Sequence, residues 1–134
     1  THTNFNTKII NISGKTKEYF MLENIGHDGY QAGLDYMIGG NSDTSGIAIW
    51  HIDENQSGNS DYTHKLVDLE EAADAGLDLG SHNGKQTNLF FSGNKTEFSN
   101  STNPNSKTYA ETSSGITINN ISTAGDSMTF DVSF

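Results

Sequence analysis

Several potential metal ligands follow the chain's only tryptophan, Trp50. Successive residues of an extended strand point to opposite faces, so His51 and Asp53 are predicted to share a face. Calcium takes about six to eight oxygens from carboxylates, amides, carbonyls and water. Two neighbouring stretches offer such oxygens, namely Asp53, Asn55, Asn59 and Asp61 on the first and Glu70, Glu71, Asp74 and Asp78 on the second. The pattern predicts a calcium site whose candidate ligands are Asp53, Asn59, Asp61, Glu71, Asp74 and His51.

Other interpretations of the same residues stay open. The carboxylates could form a solvated acidic surface, since their spacing is not that of an EF-hand. His51, Asp53 and His64 could hold zinc or act as a general base. His51 could equally be a structural histidine beside Trp50 that donates to a carboxylate or a carbonyl.

The composition excludes several classes of partner. The formal net charge is -10, and the seven basic residues are scattered lysines. A nucleic-acid binder needs a basic patch, and a membrane surface attracts clustered Lys and Arg, so neither partner is expected. No apolar run approaches the roughly 18 residues that a membrane span requires. The chain has no cysteine, which removes thiolate chemistry and cysteine-ligated zinc.

The elements that position these residues are predicted to be strands. The run Ser45–Asn55 is apolar on both faces, which is typical of a central strand buried on two sides. The other predicted strands are Lys8–Ser13, Glu18–Asn24, His64–Glu70, Ser114–Ser122 and Asp126–Phe134. We expect a hairpin from the first two of these and another from the last two, with Met128, Phe130, Val132 and Phe134 on a buried face. Glu70–Leu79 is predicted to be a loop or a single helical turn. The predicted fold is a single all-β domain over residues 1–134, a mostly antiparallel sheet or sandwich with long loops and little helix.

Six strings of residues carry a resemblance to a known family. They are YFMLEN (Tyr19–Asn24), GIAIWHIDE (Gly46–Glu54), HKLVDLEEA (His64–Ala72), LFFSGN (Leu89–Asn94), TNPNSKTY (Thr102–Tyr109) and SGITINNIS (Ser114–Ser122). In this order the chain resembles the immune inhibitor A family, which are secreted and mostly bacterial zinc metallopeptidases. The resemblance covers about Thr16 to Phe134, the part that follows the zinc-binding helix. It implies calcium stabilisation, since such peptidases are commonly calcium-stabilised.

Two departures from the family pattern limit what the resemblance implies. The catalytic signature, His-Glu-x-x-His on a helix, is missing, since no two of His2, His27, His51, His64 and His82 are four residues apart. Asn88 stands where the family tends to place an aspartate before Leu-Phe, which puts a cation ligand there in doubt.

The functional expectation follows from the match and the departures together. We expect a non-catalytic, calcium-stabilised part of a secreted metallopeptidase, adjacent to a catalytic domain that holds zinc in upstream sequence. The alternative is a stand-alone extracellular module that binds protein or glycan through its long polar loops. An inhibitory or pro-segment is a third interpretation.

Overall fold

The computed structural model describes residues 7–26, 45–73, 76–80 and 84–134. Its larger sheet contains β1 (Thr7–Asn11), β2 (Glu18–Ile25), β3 (Gly46–Asp53) and β4 (Val67–Leu69), adjacent in that order and antiparallel. This confirms the all-β prediction and the position of β3 inside the sheet. The β1–β2 hairpin turns at Gly14, whose φ of 77° suits glycine. The backbone N–H of Lys15 donates to the Ile12 carbonyl at 3.0 Å and closes this turn.

A smaller antiparallel sheet pairs β5 (Thr117–Asn119) with β6 (Asp131–Ser133). Its strands are shorter than the two predicted ones. The backbone N–H of Ser122 donates to the Thr129 carbonyl at 2.9 Å, so the connection extends into the predicted strand that starts at Asp126. Met128, Phe130 and Val132 pack against the core as predicted. Phe134 does not, because it follows the last paired residue and is 84% exposed.

One hydrophobic core joins the two sheets. Alternation along β2 places Phe20 and Leu22 on the face that also carries Ile10 of β1 and Ile49 of β3. Ile116, Ile118 and Ile121 of the smaller sheet's region contact the same cluster. The ring of Phe98 meets the rings of Phe20 and Phe90 edge-on, with centroids 5.2 and 5.8 Å apart. The sheet face that holds His51 is therefore fixed by packed aromatic and branched side chains.

The segments between the strands are mostly irregular. β4 is only three residues long, although His64–Glu70 was predicted to be a strand. Residues 76–80 form a turn, and the described part of Glu70–Leu79 contains no α-helix, as the sequence predicts. A 3-10 helix at Gln86–Asn88 is not among the predicted elements. Across the described ranges, no helix has the length and apolar character needed to traverse a bilayer.

Candidate functional site

His51 lies at the centre of the candidate site. It sits on β3 between Phe20 of β2 and Asp68 of β4 in the strand register, and it is 3% exposed. Its Nε2 is 3.2 Å from Glu18 Oε1, and its Nδ1 is 3.1 Å from Glu70 Oε1. A buried polar ring is tolerated when its nitrogens have partners. The strand pairing thus holds this imidazole between two carboxylates.

An aromatic stack extends outward from His51. The ring of Phe20 is tilted by 42° to the imidazole, with the ring centroids 4.5 Å apart, and Tyr109 stacks on His51 at 4.2 Å. The ring of His64 stacks on Tyr109 at 4.1 Å. His64 is fixed in turn by Asp53, whose Oδ2 lies 2.8 Å from His64 Nε2. Four rings from four different segments therefore form one continuous column.

Glu18 ties the loop that carries Tyr109 to the sheet. The carboxylate is 5% exposed, and its Oε1 accepts the backbone N–H of Tyr109 at 2.7 Å. Its Oε2 lies 3.3 Å from Lys15 Nζ. The hydroxyl of Tyr109 is buried and makes no well-aligned hydrogen bond to the described parts of the chain, although the backbone N–H of Lys65 lies close enough to act on its pKa. Burial, together with the charges of Asp68 and Glu70, raises the pKa of the Tyr109 phenol, which stays neutral.

A cleft of about 350 Å³ opens beside the column. His51 and Tyr109 line it together with residues of the β4 end, of the 76–80 turn and of the loop around Pro104, namely Asp68, Glu70, Glu71, Asp78, Asn103, Asn105, Lys107, Thr108 and Glu111. Burial raises the pKa of both Asp68 and Glu70, against the effects of Lys65 and His51 respectively. Lys65 bridges Asp68, at 2.6 Å, and Asp78. The walls of the cleft are therefore acidic and only partly neutralised.

The predicted calcium ligands of the first stretch have separate hydrogen bonds. Burial would raise the pKa of Asp53, but hydrogen bonds from Asn55 and His64 outweigh it and lower that pKa. Asn59 bonds both backbone polar groups of Val67, through its Oδ1 and Nδ2 at 3.0 Å each. Asp61 accepts the backbone N–H of Thr63 at 2.9 Å and its hydroxyl at 2.7 Å. Asn59 and Asp61 therefore act as local braces of their loop.

The predicted ligands Glu71 and His51 also have hydrogen-bond partners of their own. Glu71 accepts backbone N–H groups of the 76–80 turn and the side-chain amide of Asn88. His51 faces Glu18 and Glu70, and Asp74 lies outside the described residues. Among the residues described, no group of three or more histidine, aspartate or glutamate side chains is placed to hold a metal ion. Calcium binding stays a prediction.

Sequence reasoning missed two members of this site, Glu18 and Tyr109. Glu18 precedes the apolar part of β2, and nothing in its neighbours indicates a buried carboxylate. Tyr109 is the last residue of the string TNPNSKTY, so one of the six strings that carry the resemblance already included it. Its contact with His51 joins distant parts of the chain, which single-sequence patterns do not predict.

We compared the chain with protein families, curated protein sequences and solved structures, and found no relative. The chain matches no family model, no curated protein sequence and no solved structure. The chain is therefore described by its own geometry, as a β-rich domain with a partly buried histidine–tyrosine column beside an acidic cleft.

Proposed function

We propose that this chain is the non-catalytic, β-rich part of a secreted metallopeptidase resembling the immune inhibitor A family. Its role is to complete and brace the fold beside a zinc site that upstream sequence supplies. The parent protein would hydrolyse peptide bonds. The observation that carries the proposal is the column Phe20–His51–Tyr109–His64.

Each member of this column comes from a different string of the resemblance. Phe20 belongs to YFMLEN, His51 to GIAIWHIDE, His64 to HKLVDLEEA and Tyr109 to TNPNSKTY. These strings are separated along the chain, yet their side chains meet within 4.5 Å between ring centroids. Residues that pack together constrain one another, because protein interiors are close-packed. The convergence supports treating the strings as parts of one unit.

The polar contacts of the column favour a bracing role. Both ring nitrogens of His51 face carboxylate oxygens, and Nε2 of His64 faces Asp53. A catalytic histidine needs a nitrogen directed at substrate or at a nucleophile. His51 instead links three neighbouring segments, because Glu18 belongs to β2 and Glu70 follows β4. Secretion, calcium stabilisation and the adjacent zinc domain belong to the same proposal.

The direct test compares the full-length parent with residues 1–134 alone. We expect zinc-dependent hydrolysis of casein by the parent and none by the isolated chain. A parent variant with alanine in place of the glutamate of an upstream His-Glu-x-x-His helix is the matched control. A parent gene without such a helix would contradict the proposal.

The acidic cleft favours a second candidate, an extracellular module that binds a protein or a glycan. Asn103, Asn105 and Thr108 offer hydrogen-bonding groups beside Asp68 and Glu70. The volume of the cleft, about 350 Å³, is at the lower end of the range for small-molecule sites. Saturable binding of an oligosaccharide or a peptide to the isolated chain, lost in Tyr109→Leu and kept in Tyr109→Phe, would support this candidate. Binding that is equal in both variants would contradict it.

A further inference from the structure

A second cluster of hydrogen bonds lies next to the same cleft and begins with the residue after Glu70. Its centre is the Glu71 carboxylate, and the residue is 7% exposed. Oε1 accepts the backbone N–H of Leu77 at 3.0 Å, and Oε2 lies 3.4 Å from the backbone N of Asp78. Asn88 Nδ2 donates to the same Oε1 at 3.0 Å. We call this group, Glu71 with Leu77, Asp78 and Asn88, the Glu71 clasp.

The orientation of the Asn88 amide is fixed by its other contact. Asn88 is 1% exposed, and its Oδ1 accepts the backbone N–H of Lys85 at 2.7 Å. A backbone N–H only donates, so the atom that faces it must be the amide oxygen. The NH₂ group is thereby turned toward Glu71. A carboxylate only accepts hydrogen bonds, so both contacts of the Asn88 amide require the same orientation of that group.

The donor set of the clasp does not suit a calcium ion at Glu71. Calcium is bound by oxygens, whereas Asn88 presents N–H to the carboxylate. If an aspartate stood at position 88, two buried carboxylates would face each other. Such a pair needs a shared proton or a cation between its oxygens. An amide removes that need, because it supplies a neutral donor in nearly the same shape.

We infer that the Asn88 amide takes the place of a divalent cation beside Glu71, so that this clasp joins Glu71 to the 76–80 turn and to the 3-10 helix at Gln86–Asn88 without calcium. The inference concerns Glu71 and Asn88 alone, and it holds whether or not the chain is part of a peptidase. It goes beyond the proposed function and removes Glu71 from the predicted calcium ligands, while calcium bound elsewhere in the chain stays part of that proposal. It also implies that residue 88 decides whether the clasp depends on a cation.

The test measures the melting temperature of four proteins in excess calcium and in EGTA. They are the wild type, Glu71→Gln, Asn88→Asp and the double variant Glu71→Gln/Asn88→Asp. We expect Asn88→Asp to melt about 5 °C or more below the wild type in EGTA and to recover much of this loss in calcium. In the double variant one carboxylate and one amide again face each other, so its calcium-induced shift should equal that of the wild type.

The Glu71→Gln protein separates this clasp from any calcium bound elsewhere. Its calcium-induced shift should match the wild-type shift, whatever its size. A wild-type shift that disappears in Glu71→Gln would overturn the inference, and so would an Asn88→Asp variant that calcium does not stabilise more than the wild type. If Asn88→Asp fails to fold, NMR of the wild-type Asn88 side-chain NH₂ decides. Signals unchanged by calcium support the clasp, and saturable shifts in them refute it.

Discussion

The phenol ring of Tyr109 lies stacked on the imidazole of His51, with 4.2 Å between the ring centroids and an angle of 15° between the ring planes. The backbone N–H of the same tyrosine donates to Glu18, which also faces His51. A single residue therefore fastens the 102–109 loop to β2 and β3 through its ring and its backbone. These two contacts hold the 102–109 loop, which forms one wall of the cleft, in a fixed position against the sheet.

Tyr109→Leu and Tyr109→Phe form a matched pair that tests this contact. Leucine removes both ring stacks, so we expect a loss of about 2–3 kcal/mol in the free energy of unfolding. Phenylalanine keeps the rings and removes a buried hydroxyl that makes no well-aligned hydrogen bond to the described residues, so its effect should stay within about 0.5 kcal/mol. Urea titration of the wild type and both variants measures these differences in the free energy of unfolding. Equal losses in the two variants would show that the stack does not hold the loop.

Glu70→Gln tests the electrostatics of the cleft wall. Burial raises the pKa of Glu70, so the folded chain binds more protons at this residue than the unfolded chain does. The stability that this carboxyl contributes is therefore present below the ordinary glutamate pKa of about 4.3 and is lost as pH rises through the raised value. The unfolding free energy of the wild type minus that of Glu70→Gln should fall over this interval. A difference that rises with pH would mean that His51 lowers this pKa more than burial raises it.

Gly46→Ala tests the close approach at the start of β3. A Cβ atom at residue 46 would lie 2.7 Å from Leu89 Cβ and 3.3 Å from the carbonyl oxygen of Phe90. We expect a loss of about 1–3 kcal/mol, because backbone must move to relieve the overlap. Gly58→Ala is the control, since a Cβ atom there meets nothing within 4 Å. Thermal melts of the two variants that coincide would contradict the close packing of β3 on the Leu89–Phe90 segment.

Ile10→Ala and Ile9→Ala test the alternation along β1. Ile10 is 3% exposed and belongs to the core, whereas its neighbour Ile9 is 54% exposed. We expect the first variant to lose about 2–4 kcal/mol and the second less than about 1 kcal/mol. Both substitutions remove the same atoms from the same strand, so the ratio of the two losses in unfolding free energy reports how deeply each side chain is buried. A larger loss for Ile9→Ala would mean that β1 is displaced by one residue in register.

The sequence predicts most of the sheet because burial leaves a periodic trace. β2 and β3 are apolar on both faces, and both are found close to their predicted bounds. β1 runs Thr7–Asn11 rather than Lys8–Ser13, since pairing with β2 ends at Asn11. The predicted strand Asp126–Phe134 is reduced to Asp131–Ser133, although Met128 and Phe130 still pack against the core. Apolar spacing predicts which residues are buried better than it predicts where pairing stops.

The candidate site was predicted less completely, and the reason is physical. His51 and Asp53 lie on the same face of β3, as predicted, yet they have different partners. His51 contacts Glu18 and Glu70, whereas Asp53 contacts His64. Those partners belong to other segments, so only the fold decides the pairing. The acidic stretches alone cannot distinguish a metal cage from carboxylates that accept backbone N–H groups, as Asp61 and Glu71 do.

Zinc-dependent casein cleavage, assayed side by side for the full-length parent and for residues 1–134, decides whether the catalytic groups lie outside this chain. We expect turnover by the parent, loss of that turnover when the upstream glutamate is replaced by alanine, and no turnover by the isolated chain at any zinc concentration. Zinc-dependent turnover by residues 1–134 alone would contradict the proposal, because the column around His51 would then have to supply the catalytic groups.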